Sequence, residues 1–163
     1  NEPVQISAGP VGDLYEGASR PGHFAGVLTV VNRLFEIVKP SAAVFGEKDF
    51  QQLWLIKNHF KKIEISFMPT VREFDGLALS SRNIRLTESD RAAALIISKA
   101  LKEPARMQEI LATQPAFKLD YAEIIDEKTF QLASATTQNK RAIIAGWVNG
   151  VRLLDNAVVE SNS

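Results

Sequence analysis

The sequence contains no cysteine. Disulfides and thiolate metal centres are therefore excluded, and a reducing compartment, the cytoplasm, is the expectation. Excess charge is missing as well, since 19 Lys and Arg are balanced by 19 Asp and Glu. Without a global field the chain cannot gather nucleic acid or an anionic membrane surface, so its partners must be chosen locally. No apolar run approaches the roughly 20 residues of a membrane span. The opening, NEPVQISAGPVGDLYEG, lacks the basic and then apolar pattern of a secretion signal. It also starts at Asn1 without Met, from which processing or a boundary upstream is expected. The two histidines, His23 and His59, stand in no cluster with metal-ligand spacing, so no metal site is expected from the protein's own side chains. GxSxG, P-loop and GxGxxG strings are absent, as are repeats and low-complexity segments.

What is present is a 45% apolar chain of 163 residues, enough for a buried core. In HFAGVLTVVNRLFEIVKP, apolar residues at Phe24, Val27, Leu28, Val31, Leu34, Phe35 and Val38 predict a helix stopped by Pro40. SAAVF is short and unbroken, the pattern of a strand covered on both faces in a parallel sheet. A second helix follows in FQQLWLIKNHF, with Leu53, Leu55, Ile56 and Phe60 inward, and then a strand in KIEISFMPT. This alternation predicts a doubly wound α/β sheet. After a turn at Asp75-Gly76, Thr87 and Asp90 form a capping box for a helix from about Glu88 to Lys102. The polar stretch with Pro104 and Pro115 reads as a boundary or a short helical linker. Beyond it, KLDYAEIID, RAIIAGWV and the Asn149-Gly150 turn predict antiparallel β structure with a hairpin. Two strands are too few for an open sheet with helices on both faces, since about four to six is typical. Either a partner supplies strands or the chain lacks the N-terminal half of a larger fold, and the second is our expectation.

Ligands of open α/β sheets bind beyond the carboxyl ends of strands, and Gly46, Glu47, Lys48 and Asp49 fall at such an end. Gly46 permits close approach to the backbone, Lys48 suits a phosphate, and Asp49 is either a helix cap or an acceptor for a ribose hydroxyl. The same spacing serves a solvated loop equally well. Ser80, Ser81 and Arg82 place two hydroxyls and a guanidinium side by side, a phosphate clamp in principle, though such short strings also occur in plain loops. Arg152 and Asp155 read as an exposed or half-buried pair, and His23 as part of a helix start.

Taken together, EGASRPGHFAGVLTVVNRLF, VFGEKDFQQLWLI, PTVREFDGLALSSRN and RLLDN resemble, in order, the pantothenate synthetase (pantoate–β-alanine ligase) family of the nucleotidylyltransferase superfamily. The resemblance implies the C-terminal part of a Rossmann-like domain over residues 1–86 and a small α+β lid domain with a hairpin over 87–163. It implies ATP and Mg2+, the substrates pantoate and β-alanine, a pantoyl-adenylate intermediate and a homodimer. Gly46, Glu47, Lys48 and Asp49 would line the ATP site, Val71 and Leu79 would flank adenine, and Ser80, Ser81 and Arg82 would form the phosphate-binding loop. Gln52 would hydrogen-bond pantoate, with Val27, Val30 and Val31 as the wall beside its methyl groups. The HxGH-type histidine pair of the family has no counterpart here, so the chain alone is not expected to turn over. Two other readings stay open: a non-catalytic domain that binds a nucleotide or a protein, and another nucleotidylyltransferase.

Overall fold

The structure, a computed structural model, describes residues 5–160. It divides into one compact unit up to Pro69 and a second from Thr70. In the first unit, a short helix α1 (Glu16–Ser19) leads to the long helix α2 (His23–Val38), strand β1 (Ala42–Gly46), helix α3 (Phe50–His59) and strand β2 (Glu64–Met68). The three- and four-residue apolar spacing of α2 buries Phe24, Leu28 and Val31 against Leu55 and Ile56 of α3. The helix ends where Lys39 turns left-handed (φ 50°) and its N–H bonds the carbonyl of Phe35 at 2.8 Å, directly before Pro40.

Strands β1 and β2 pair in parallel, from Ala42 opposite Glu64 to Gly46 opposite Met68. Burial alternates along β1. Phe45 and Ile65 pack on the helical core, whereas Val44 is 60% exposed. The expectation of a strand covered on both faces is thus corrected: in this two-stranded sheet, helices cover one face only.

The second unit begins with a short antiparallel bridge, Arg72 opposite Ala78, closed by Gly76 at φ 93°. Helices α4 (Glu88–Ala94), α5 (Ile96–Leu101) and α6 (Met107–Ala112) follow, then strands β3 (Phe117–Asp126), β4 (Lys140–Val148) and β5 (Val151–Val159) in the antiparallel order β3-β4-β5. The capping box of Thr87 and Asp90 is formed in both directions. The expected single helix is broken, however, because Leu95 flattens to ψ −14° between α4 and α5. Of the two readings of the polar stretch, a boundary or a short helical linker, the structure shows helix, but inside this unit, with Met107, Ile110 and Leu111 of α6 buried in its core. The division at residues 69 and 70 differs from the expected 86 and 87. Residues 72–75 reach within the second unit for their partners: Arg72 donates to Asp155, and Glu73 and Asp75 accept from Arg91.

At the hairpin, Asn149 (φ 47°) and Gly150 (φ 74°) take the two positive angles of a type I′ turn. Asn149 Nδ2 also donates to Asp90 Oδ2 at 3.1 Å, tying the turn to the start of α4. Gly146 has another necessity. A Cβ there would lie 2.4 Å from the carbonyl oxygen of Lys118 and 2.4 Å from the ring of Phe117, beside the bulge between Leu119 and Tyr121. Gly146→Ala is therefore expected to destabilise the second unit by about 1–3 kcal/mol. Urea unfolding checks this, and a midpoint equal to that of the parent chain would contradict the packing argument.

Candidate functional site

In the first unit the parallel ladder runs one residue past β1, with the Glu47 N–H donating to the Met68 carbonyl at 2.9 Å. The chain then turns through Lys48 and Asp49 into α3. Open space surrounds the position a Cβ would take on Gly46, so a ligand can meet the backbone there. Lys48 is largely buried, its side chain 20% exposed, and its Nζ lies 4.0 Å from Asp49 Oδ1. Asp49 occupies the N-cap position of α3, but its side chain makes no capping hydrogen bond and is 55% exposed. The capping option for this carboxylate is thereby excluded, and a charged pair stands at the end of a strand and the start of a helix.

Gln52 is half-buried in the first turn of α3. Its neighbour Gln51, unnoticed in the sequence, is only 6% exposed. The Gln51 amide donates to the carbonyls of Val11 and Leu14, each at 2.8 Å, and accepts from the Glu16 N–H at 3.1 Å. The signal was available: Gln51 precedes Leu55 by one helical turn and shares its inward face. On α2, Val31 is committed to the core, Val27 packs against it and Val30 is 59% exposed. His23 Nε2 lies 2.9 Å from an Arg20 nitrogen, and His59 packs its ring against Phe60. Among the described residues no group of three His, Asp or Glu is poised around a metal ion. A cavity of about 620 Å3 opens beside Gly9, Gly12, Asp13, Gly22 and Phe24, and none of the sequence-predicted site residues lines it.

In the second unit, Leu79 N–H donates to the Val71 carbonyl at 2.9 Å, making these residues cross-strand neighbours beside the Arg72–Ala78 bridge. Their side chains share one side of the ribbon and are 62% and 53% exposed, leaving two apolar groups side by side in solvent. Arg72, on the other side, makes a forked contact with the buried Asp155 at 2.7 and 3.2 Å. The expected pairing of Asp155 with Arg152 does not occur. Three residues apart on β5 they project to opposite faces, and Arg152 instead contacts Asp120 at 2.7 Å and stacks on Trp147.

Directly after Leu79, Ser80 caps a 3-10 turn, Ser81–Arg85, its Oγ accepting the Arg82 N–H at 3.2 Å. Ser81 is exposed and Arg82 half-buried. Three further residues of this region escaped sequence reasoning: Glu73, Asn83 and Arg91. Arg91 Nε donates to Asp75 at 2.6 Å and its terminal nitrogen to Glu73 at 2.7 Å. The other oxygen of Glu73 accepts from Asn83 Nδ2 at 2.6 Å. The Arg91 hydrogen bonds, seconded by Asn83 at Glu73, hold both carboxyl groups below their ordinary range and keep Arg91 charged at any accessible pH.

Depressed carboxylate pKa values stabilise the fold fully above the unfolded value, about 4, and the contribution fades as pH falls through the folded values. Urea midpoints measured from pH 7 downward are expected to drop below about pH 4 more steeply in the parent chain than in Arg91→Ala. Parallel curves for the two proteins would exclude this origin of acid sensitivity.

The family described as pantoate-beta-alanine ligase matches residues 2–158. Pantothenate synthetase of Saccharopolyspora erythraea is 45% identical over 96% of this chain, which covers 56% of that protein. For the Thermus thermophilus enzyme the figures are 41%, 96% and 63%. The chain thus spans about three-fifths of the length of these curated relatives. The crystal structure of the Thermus thermophilus pantothenate synthetase superposes with a TM-score of 0.88 at 40% identity, over 94% of this chain and 62% of that one. A pantoate-beta-alanine ligase from Francisella tularensis, solved with beta-gamma ATP and beta-alanine, superposes with a TM-score of 0.68 at 34% identity, over 91% and 55%. The fold is that of the C-terminal part of a nucleotidylyltransferase: a parallel pair of strands with helices, followed by an antiparallel sheet.

Proposed function

The chain belongs to the pantoate–β-alanine ligase family, and from that premise we propose that it carries the nucleotide-handling part of an enzyme joining pantoate to β-alanine with ATP. In the first step a carboxylate oxygen of pantoate attacks the α-phosphorus of ATP. The bond between the α- and β-phosphoryl groups breaks, and pyrophosphate leaves with its electron pair. In the second step the β-alanine amine attacks the acyl carbon, an amide forms, AMP departs and the nitrogen loses a proton.

Gly46, Glu47, Lys48 and Asp49 line the nucleotide site in this reading. Lys48 carries the reading furthest, because its ammonium group stands at a strand end beside a helix start, with most of its side chain shielded from water. There it neutralises negative charge as it moves onto the leaving pyrophosphate. Val71 and Leu79, side by side and exposed, flank adenine. Ser80, Ser81 and Arg82 hold phosphate oxygens, with Arg82 supplying the fork-shaped donor set that such oxygens match. Gln52 hydrogen-bonds pantoate. Val30 and Val27 offer its methyl groups an apolar wall that the buried Val31 backs from within. Magnesium would accompany ATP as its counter-ion and offset part of the triphosphate charge. A cytoplasmic homodimer completes the proposal.

The test uses the full-length enzyme. Lys48→Ala is expected to slow pantoate-dependent exchange of pyrophosphate into ATP by about 100-fold or more, the range seen when one electrostatic donor is removed from a reacting centre. Near-parental exchange by a folded variant would remove Lys48 from the mechanism.

A further inference from the structure

The residue after Arg82 is built into the fold in an unusual way. Asn83 is 7% exposed in a turn whose neighbours Ser81 and Ile84 face solvent. Its side-chain amide nitrogen donates twice, to Glu73 Oε1 at 2.6 Å and to the Ala78 carbonyl at 3.0 Å. Its backbone N–H donates to the Ser80 carbonyl at 3.0 Å, and its own carbonyl accepts from Leu86 at 3.1 Å. Its carbonyl oxygen Oδ1 is buried without a partner. An orphaned acceptor of this kind works against stability and calls for an explanation. The two donors supply it, because no other side chain of this size offers two N–H groups to a carboxylate and a main-chain carbonyl at once.

The consequence is geometric. The contact to the Ala78 carbonyl closes the chain across residues 79–82, and the contact to the Ser80 carbonyl closes a tighter turn within that loop. The contact to Glu73 ties this closure to a carboxylate that Arg91 holds from α4. Arg91 is itself fixed a second time by Asp75. Glu73 therefore stands between two donors from separate elements, ionised and unable to turn without breaking one bond or the other.

We propose that Asn83, held by Glu73, is a positioning residue that sets the orientation of Ser80, Ser81 and Arg82 toward the nucleotide phosphates without touching them. The proposal rests on the assignment of those three residues to phosphate binding. Loop positioning of this type acts through orientation, and a displacement of about 1 Å can slow a transfer by about 100-fold.

The experiment is steady-state and exchange kinetics of the full-length enzyme with Asn83→Ala and, separately, Glu73→Gln. Glu73→Gln retains the size of the side chain but replaces the carboxylate that joins Asn83 to Arg91. Each variant is expected to lose about 10- to 100-fold in kcat/KM for ATP in pyrophosphate exchange. The KM for pantoate, and the rate at which supplied pantoyl adenylate reacts with β-alanine, are expected to stay at parental values. A purely structural role predicts the opposite split, with a lower melting temperature and parental constants for the protein that remains folded. That result overturns the proposal. If Asn83→Ala does not fold, Glu73→Gln decides alone: parental kcat/KM for ATP sinks the proposal, and a selective loss in the exchange step upholds it. An unmodified enzyme showing no pantoate-dependent exchange would instead refute the ligase assignment, so the two failures are distinguishable.

Discussion

One main-chain hydrogen bond sets the terms for the first unit, the one from the Glu47 N–H to the Met68 carbonyl. It is the last rung of the parallel ladder, and the chain cannot leave the sheet before it. The ladder fixes where β1 stops, and the inward face of α3 fixes where the helix starts. Two residues remain for the turn between them, and these are Lys48 and Asp49. A charge pair is thus presented at the strand end by main-chain geometry, with little freedom for the lysine to retreat into solvent. The buried amide of Gln51 acts one turn later, satisfying two carbonyls and one N–H of the turn-rich segment before α2. It adds a side-chain donor to carbonyls that the local turns already engage, and so joins the segment before α2 to α3 at three points.

The second unit relies more on polar contacts between distant segments. Its apolar core runs from Leu77 through α4–α6 to β3, β4 and β5. The ribbon over residues 71–79 is nevertheless held to that core by ions: Arg72 on the buried Asp155, and Arg91 on Glu73 and Asp75. Breaking such a pair leaves a partly buried charge behind, so its importance lies in what its loss would expose. Val71, Phe74 and Leu79, which take no part in these ion pairs, face outward from the ribbon.

Local features were the most legible in the sequence. The period of α2, the Thr87–Asp90 box and the Asn149-Gly150 turn each depend on residues within one or two turns of chain, and each formed as read. The break at Leu95 was hidden because neither glycine nor proline marks it. The flanking polar residues and prolines let residues 107–112 pass for a linker, although Met107, Ile110 and Leu111 carry the spacing of a buried face. At the site, the strings around Lys48 and Ser80 could be read from residue type alone. Their supports could not. Asn83 meets Glu73 ten residues away and Arg91 meets it eighteen away, with directions set only by the folded chain. Asp155 is a different case: its spacing of three from Arg152 already places the two on opposite faces of a strand, while its actual partner, Arg72, lies 83 positions away and is found only in the folded chain.

The bond between Asn149 and Asp90 spans 59 positions of sequence and joins a hairpin tip to a helix cap. Tips of two-residue turns are ordinarily where a chain accepts new termini or an inserted domain. Here such a cut would also strip a ligand from the carboxylate that caps α4, so damage at one extremity would be felt at the other. Residues 134–137, whose hydroxyl contacts stay among immediate neighbours, are the more forgiving place to reopen the polypeptide.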